Sequence, residues 1–200
     1  VRYAAEDADV TWRLHETLWP RIESSPGLKR VFSEIEMPLI SVLAHMERHG
    51  VLIDPIALKN QEASMRQRLQ VLEKEVFSLT NQSFNMNSPK QLQEILFKHL
   101  ALPILQKTPT GQHSTADSVL QELALDFEIP RLIIEYRSLS KLISTYTTRL
   151  IEQIHPTTKR LHTSYHQAGT VTGRLSSSNP NLQNIPIRTE RGRDIRKAFV

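Results

Sequence analysis

Leu132, Tyr136, Leu139, Ile143, Tyr146 and Leu150 recur at spacings of 4, 3, 4, 3 and 4. That rhythm draws one apolar seam along a helix from Pro130 to about Ile154, and so continuous a seam has to be covered by a partner of similar length. The chain supplies one. Leu58, Met65, Leu69, Leu72, Val76 and Leu79 form a near-heptad stripe, opened by Asp54-Pro55, an N-cap followed by proline at the first helical position. Two long helices packed antiparallel and projecting from a globular body are the arrangement this predicts. Arg137, Lys141, Ser144 and Thr148 fall on another face of the later helix. The pairing therefore leaves a short polar, basic row exposed, which suits a phosphate backbone or plain solvation.

The remaining pattern is helical before residue 155 and different after it. Tyr3 to Leu18 reads as a helix ended by Trp19-Pro20, and Ser24-Ser25-Pro26-Gly27 as a connection between domains. A second helix carries Ile35, Leu39, Leu43 and Met46 on one face, with a kink expected at Pro38 and Gly50 as its C-cap. Ser88-Pro89-Lys90-Gln91 is a capping box opening a short helix to about Leu100. "QKTPTGQHST" is a polar loop, and Ala116 to Leu125 another short helix. Beyond His155-Pro156 the period becomes two. "RLHTSYHQA" alternates, Gly169 and Gly173 mark turns or close backbone approach, and "DIRKAFV" reads as a strand starting near Asp194. Ser176 to Arg188, with two prolines, is expected to be an extended loop. The fold class is α+β.

Charge is where composition matters. After Thr170 there are six basic residues, Arg174, Arg188, Arg191, Arg193, Arg196 and Lys197, against Glu190 and Asp194. These account for the whole net charge of +4. A basic, amide-rich, aromatic-poor stretch suits a polyanion such as a nucleic-acid backbone better than stacking on single-stranded bases, though a solvated basic surface has the same composition. Cysteine is absent, which excludes disulfides and Cys-based zinc sites. His45 and His49 lack the Glu that a zincin helix places directly after its first His. His162 and His166, on an expected strand, would stand about 13 Å apart, too far to chelate one ion. No run of about 18 apolar residues and no signal-peptide pattern is present, so a soluble intracellular protein is expected. The start at Val1 suggests a piece of something longer.

"TGRLSSSNPNLQNIPIRTERGRDIRKAFV" resembles the start of the palm in the family A DNA polymerases, the bacterial DNA polymerase I group. "YAAEDADVTWRLH" is similar to the third motif of that family's 3′–5′ exonuclease domain. "NSPKQLQEILF", "KTPTGQHST" and "EYRSLSKLISTYT" resemble its thumb, and "HTSYHQAGTVTGRLSS" its entry to the palm. The resemblance implies a partial right-hand fold: residues 1–24 as the last exonuclease helix, 25–50 as a linking helix, 51–155 as a thumb of long antiparallel helices, and 156–200 as the antiparallel β start of the palm. It implies that Arg174 reaches the minor groove at the primer terminus, that Asn181, Gln183 and Asn184 line the duplex there, and that Arg188, Arg137 and Lys141 touch the DNA backbone. Tyr3 and Asp7 match the exonuclease Tyr-x-x-x-Asp pair, in which Asp holds a metal and Tyr positions the attacking water. The implied enzyme is a cytoplasmic, monomeric DNA-directed DNA polymerase that uses Mg2+, primer–template duplex and deoxynucleoside triphosphates, with its polymerase aspartates after Val200. Two other readings remain: a non-catalytic nucleic-acid-binding module, and an exonuclease with a polymerase-like clamp.

Overall fold

The computed structural model describes residues 2–187 and 189–200. Helices dominate, and the strands Ser164–His166 (β1) and Ser176–Ser178 (β2) pair antiparallel with Ser164 opposite Ser178. This is the expected α+β class. The residues form two compact units, one holding the chain up to Gly50 with His162–Gln183, the other Val51–Leu161 with Asn184–Val200.

In the first unit, α1 runs from Arg2 to Glu23 and includes Pro20. The expected stop at Trp19-Pro20 is therefore overturned. A proline so near a helix C-terminus removes one backbone donor while its fixed φ remains helical, and the last turn tolerates the loss. Ser24 ends the helix, its hydroxyl donating to Arg21 O at 2.9 Å. A helix then starts at Pro26 (α2, Pro26–Arg30), passes through a π-helical turn at Val31–Glu36 and continues as α3, Met37–His49. The π turn is the form taken by the disturbance expected around Pro38: Met37 N donates to Phe32 O, five residues back. Gly50, at φ 67°, closes α3. Of the four residues assigned to this helix's apolar face, Leu43 is buried, while Ile35 and Met46 are exposed. The sheet is tied to this helix by Gln167, whose Nε2 donates to Glu36 Oε2 at 2.7 Å, and by a 2.7 Å hydrogen bond between His162 Nδ1 and Glu47 O.

The second unit is built on the two seams. Helix α4, Pro55–Thr80, begins where the Asp54 carboxylate accepts from Ile56 N and Ala57 N at 2.8 and 3.0 Å. It buries Leu58, Met65, Leu72 and Val76. Its partner is α7, Glu128–Leu142, which passes through a π turn at Ile143–Thr147 into α8, Thr148–Glu152, and buries Leu139, Ile143, Tyr146 and Leu150. As α4 advances from Glu62 to Glu73, the residue it meets retreats from Thr148 to Tyr136, so the pair is antiparallel. Glu62 meets Thr148 at 3.2 Å, the Arg68 fork meets the Glu135 carboxylate with two bonds of 2.8 Å, and Glu73 accepts from the Tyr136 phenol at 2.8 Å. At the far end of the pair, Val76 and Ile133 share a core with Met86, from the turn that follows α4, and with Leu92, Leu96 and Leu120, contributed by α5 (Pro89–Gln93), a π turn (Glu94–His99) and α6 (Asp117–Leu123).

Two expectations fail near the C-terminus. Residues from Asp194 were expected to be a strand, but Glu190–Lys197 is a helix, α9. The apolar positions Ile195, Ala198 and Phe199 stand at i, i+3 and i+4, which is helical spacing. Thr189 accepts from Gly192 N at 3.1 Å as N-cap, Glu190 occupies the first turn, and Arg196 and Lys197 occupy the last, all in accord with the helix dipole. Only the last residues extend: Phe199 bridges to Ile53, with Asp54 N donating to Ala198 O at 2.7 Å and Val200 N to Leu52 O at 3.1 Å. The second failure is Ser176–Ser178, expected at the head of a loop and found as β2.

Candidate nucleic-acid interface

The loop carrying Arg174 lies in the first unit and is held by hydrogen bonds more than by packing. Gly173, at φ 71°, turns the chain just before Arg174. Thr170 Oγ1 donates to Arg174 O at 2.7 Å, and Gln183 Nε2 donates to Leu175 O at 2.6 Å. Two successive carbonyls are thus gripped by side chains from opposite directions along the chain. Gly169 is the close approach expected of it, since a Cβ there would lie 2.5 Å from Ser176 Oγ. Arg174 itself is exposed, and its guanidinium has no hydrogen bond or ion pair among the described residues.

The amides expected beside Arg174 are divided by the fold. Asn181 and Gln183 belong to the same unit as Arg174, and Asn181 Oδ1 accepts from Gln183 N at 3.0 Å. Asn184 belongs to the second unit, where its carbonyl accepts from the Tyr146 phenol. That phenol is buried, which pushes its pKa up and keeps it a donor. Arg188 lies outside the described residues. Thr170 and Tyr146 were not singled out as functional by the sequence. A hydroxyl between two glycines gives no periodic signal, and Tyr146 looked like one more seam residue.

On α7 the polar row breaks into different environments. Lys141 is exposed and has no ion pair among the described residues. Arg137 is half-buried, with Nε donating to Met86 O at 3.0 Å and Nη1 to Thr115 O at 2.8 Å. Burial lowers its pKa while the charge of Asp117 raises it, and a guanidinium stays cationic under both. Thr148 and Ser144 turn toward α4, where they line a groove of about 610 Å³ with Arg66, Gln70, Tyr136 and Arg149. In this groove, burial and then the hydrogen bond to Glu73 push the Tyr136 phenol pKa up to about 12.

Tyr3 and Asp7 are both exposed on α1. No group of three or more His, Cys, Asp or Glu side chains that could hold a metal ion exists among the described residues. His45 and His49 stack ring on ring with centroids 6.2 Å apart, and His166 Nε2 bonds to Ser178 Oγ at 2.8 Å. Among the described residues, Asp7 therefore has no cluster of carboxylates or imidazoles around it that would complete a metal site.

Residues 56–200 match the family model for DNA polymerase family A. The chain belongs to the family A DNA polymerases. It is 59% identical to DNA polymerase I of Pseudomonas aeruginosa over 99% of its own length, and 46% identical to the thermostable DNA polymerase I of Thermus aquaticus over 98%. It spans 22% and 24% of those relatives, so this family A chain corresponds to about a quarter or less of each. Its fold superimposes on the POL domain of Pol1 from M. smegmatis, solved in complex with DNA primer–template and dNTP, with a TM-score of 0.85 and 35% identity, covering 96% of this chain and 33% of that one. No helix among the described residues is long and apolar enough to cross a membrane.

Proposed function

We propose that this chain is the primer–template grip of a DNA-directed DNA polymerase, a nucleotidyltransferase that adds deoxynucleotides to a primer 3′ end in replication and repair. The observation that carries the reading is Arg174: an exposed guanidinium, without a partner among the described residues, on a braced loop in a family A chain. In the minor groove every Watson–Crick pair presents purine N3 or pyrimidine O2 as an acceptor. A cation with fixed donors placed there tests the shape of the terminal pair without reading its sequence, which a copying enzyme requires. Asn181, Gln183 and Asn184 lie along the same stretch of chain and complete the amide lining, with Arg188 as a backbone contact beyond them.

In this reading residues 51–155 are the thumb, 156–200 the start of the palm, and 1–24 the end of an exonuclease-like domain in which Tyr3 and Asp7 act. Lys141 supplies the thumb's exposed point charge for phosphate, whereas Arg137 first holds two loops in place and only then presents charge. Deoxynucleoside triphosphates and Mg2+ belong to the whole enzyme, which acts as a cytoplasmic monomer. None of the chemistry of nucleotide addition is assigned to residues of this chain.

The test is Arg174→Ala in the full-length protein that carries this chain. Extension from a matched primer terminus should slow by the equivalent of about 1–3 kcal/mol, and extension from a mismatched one by less, because a mispair has already displaced the acceptor. Equal slowing on both termini would refute minor-groove reading. A full-length protein that binds primer–template with Mg2+ and nucleotides but never extends it would be a binding module, and one that only degrades the primer would be an exonuclease with a clamp.

A further inference from the structure

Arg174 has to present its guanidinium to one acceptor, yet it stands on a turn that packs against little. Val171, in the same turn, is fully exposed, and Gly173 lacks the Cβ that would restrict its backbone. What fixes the Arg174 Cα is a pair of side-chain hydrogen bonds to the carbonyls on either side of the 174–175 step. Thr170 Oγ1, four residues earlier, takes Arg174 O at 2.7 Å, and Gln183 Nε2, eight residues after Leu175, takes Leu175 O at 2.6 Å. The brace is itself supported. Gly173 N donates to Thr170 O at 3.4 Å, Asn181 Oδ1 holds Gln183 N, and Leu182 N donates to Ser177 Oγ at 3.1 Å, anchoring the returning segment to β2.

We propose that Thr170 is a positioning residue for Arg174, and that Gln183 shares this task by holding the Leu175 carbonyl instead of acting solely as a direct contact to DNA. The inference rests on the reading of Arg174 as the minor-groove donor. A loop that turns through a glycine explores many orientations, and each wrong one removes the guanidinium from the acceptor during the chemical step. Fixing two consecutive carbonyls removes that freedom before DNA arrives, so the effect belongs to extension rate more than to affinity.

The experiment uses the full-length protein and compares Thr170→Val, which keeps shape and loses the hydroxyl, with Thr170→Ser, which keeps the hydroxyl. Single-turnover extension is measured on a matched primer ending in an ordinary purine and on the same primer with carbon replacing N3 of that purine. Thr170→Val should slow extension of the ordinary primer by about five- to tenfold, the worth of one hydrogen bond, while primer–template Kd changes by less than about twofold. Thr170→Ser should restore most of the rate. On the N3-deleted primer, Thr170→Val should add almost nothing, because the acceptor served by the brace has gone. If Thr170→Val slows both primers by the same factor, or if Val and Ser behave alike, Thr170 does not act through Arg174 and the proposal falls. If the N3-deleted primer is extended normally by the unmutated protein, the reading of Arg174 itself fails and takes the brace with it. Slowing accompanied by an equal loss of binding would make Thr170 an ordinary stabiliser of the loop, which also overturns the proposal.

Discussion

Arg137 and Lys141 sit one turn apart on α7, and removing them should produce opposite defects. Replacing Arg137 with Met keeps the packing of its stem but leaves Met86 O and Thr115 O without their donors. Hydrogen bonds from a charged donor are each worth about 1.5–3 kcal/mol, and the half-buried site argues for the low end, so about 3 kcal/mol is lost in total. A loss of that size should raise local opening by a factor on the order of a hundred. The two carbonyls belong to the turn after Phe84 and to the loop before α6, so amide hydrogen exchange at residues 85–88 and 107–116 of the full-length protein should accelerate by about that factor. The log–log salt dependence of primer–template affinity should change little. Lys141→Met should do the reverse: unchanged exchange in those loops, and a salt slope shallower by about 0.9, the value for one phosphate. If Arg137→Met flattens the slope by a full unit while exchange stays as it was, Arg137 is a phosphate contact and the bracing argument is wrong.

Two further outcomes follow from the same unit. Because the folded pKa of Tyr136 lies near 12, above the ordinary phenol value of about 10, its protonated form is favoured by folding; that contribution is complete below about pH 10 and is lost as pH rises toward about 12. Urea melts across that range should show the alkaline loss, and Tyr136→Phe should make the profile flatter; an unchanged profile would refute the assignment. Gly192→Ala should destabilise despite alanine's better helix propensity, by about 1–3 kcal/mol, since the new Cβ would lie 2.7 Å from Pro186 Cβ and 2.8 Å from its carbonyl oxygen. A rise in melting temperature would show that Pro186 yields.

The antiparallel helix pair was readable because Leu58 to Val76 and Leu139 to Leu150 repeat long enough for periodicity to override any local ambiguity. Asp54 was readable as a cap because its carboxylate competes for backbone donors over only two or three residues. The region from Ser176 onward was harder. Its few apolar residues offer only short cues, such as buried Ile195 and Ala198, so the short apolar cluster at its end suits strand or helix until Thr189 is seen capping Gly192. Arg174, Asn181 and Gln183 were recognisable by family resemblance, but the hydrogen bonds joining Thr170 to Arg174 and Gln183 to Leu175 depend on a loop closing on itself, which no repeat announces. Arg137 shows the opposite limit. Helix geometry placed it correctly on a polar face, yet could not reveal the two carbonyls waiting there, because they come from segments 51 and 22 residues away.

The π turn at Ile143–Thr147 gives that helix a change of phase. A π turn accommodates one more residue than the α-helical path would, so side chains beyond it are rotated relative to those before it, by about 100° for a one-residue slip. Lys141, ahead of the turn, points to solvent, whereas Thr148, just beyond it, reaches Glu62 on α4. Before the turn the helix meets α4 through Glu135 and Tyr136 with Lys141 on its outer side, and beyond the turn Thr148 comes round to α4. Shortening the turn by one residue would restore an uninterrupted α-helix and swing Thr148 and Leu150 away from α4 without moving Arg137 or Lys141, so the two ends of this rod are free to be adjusted separately.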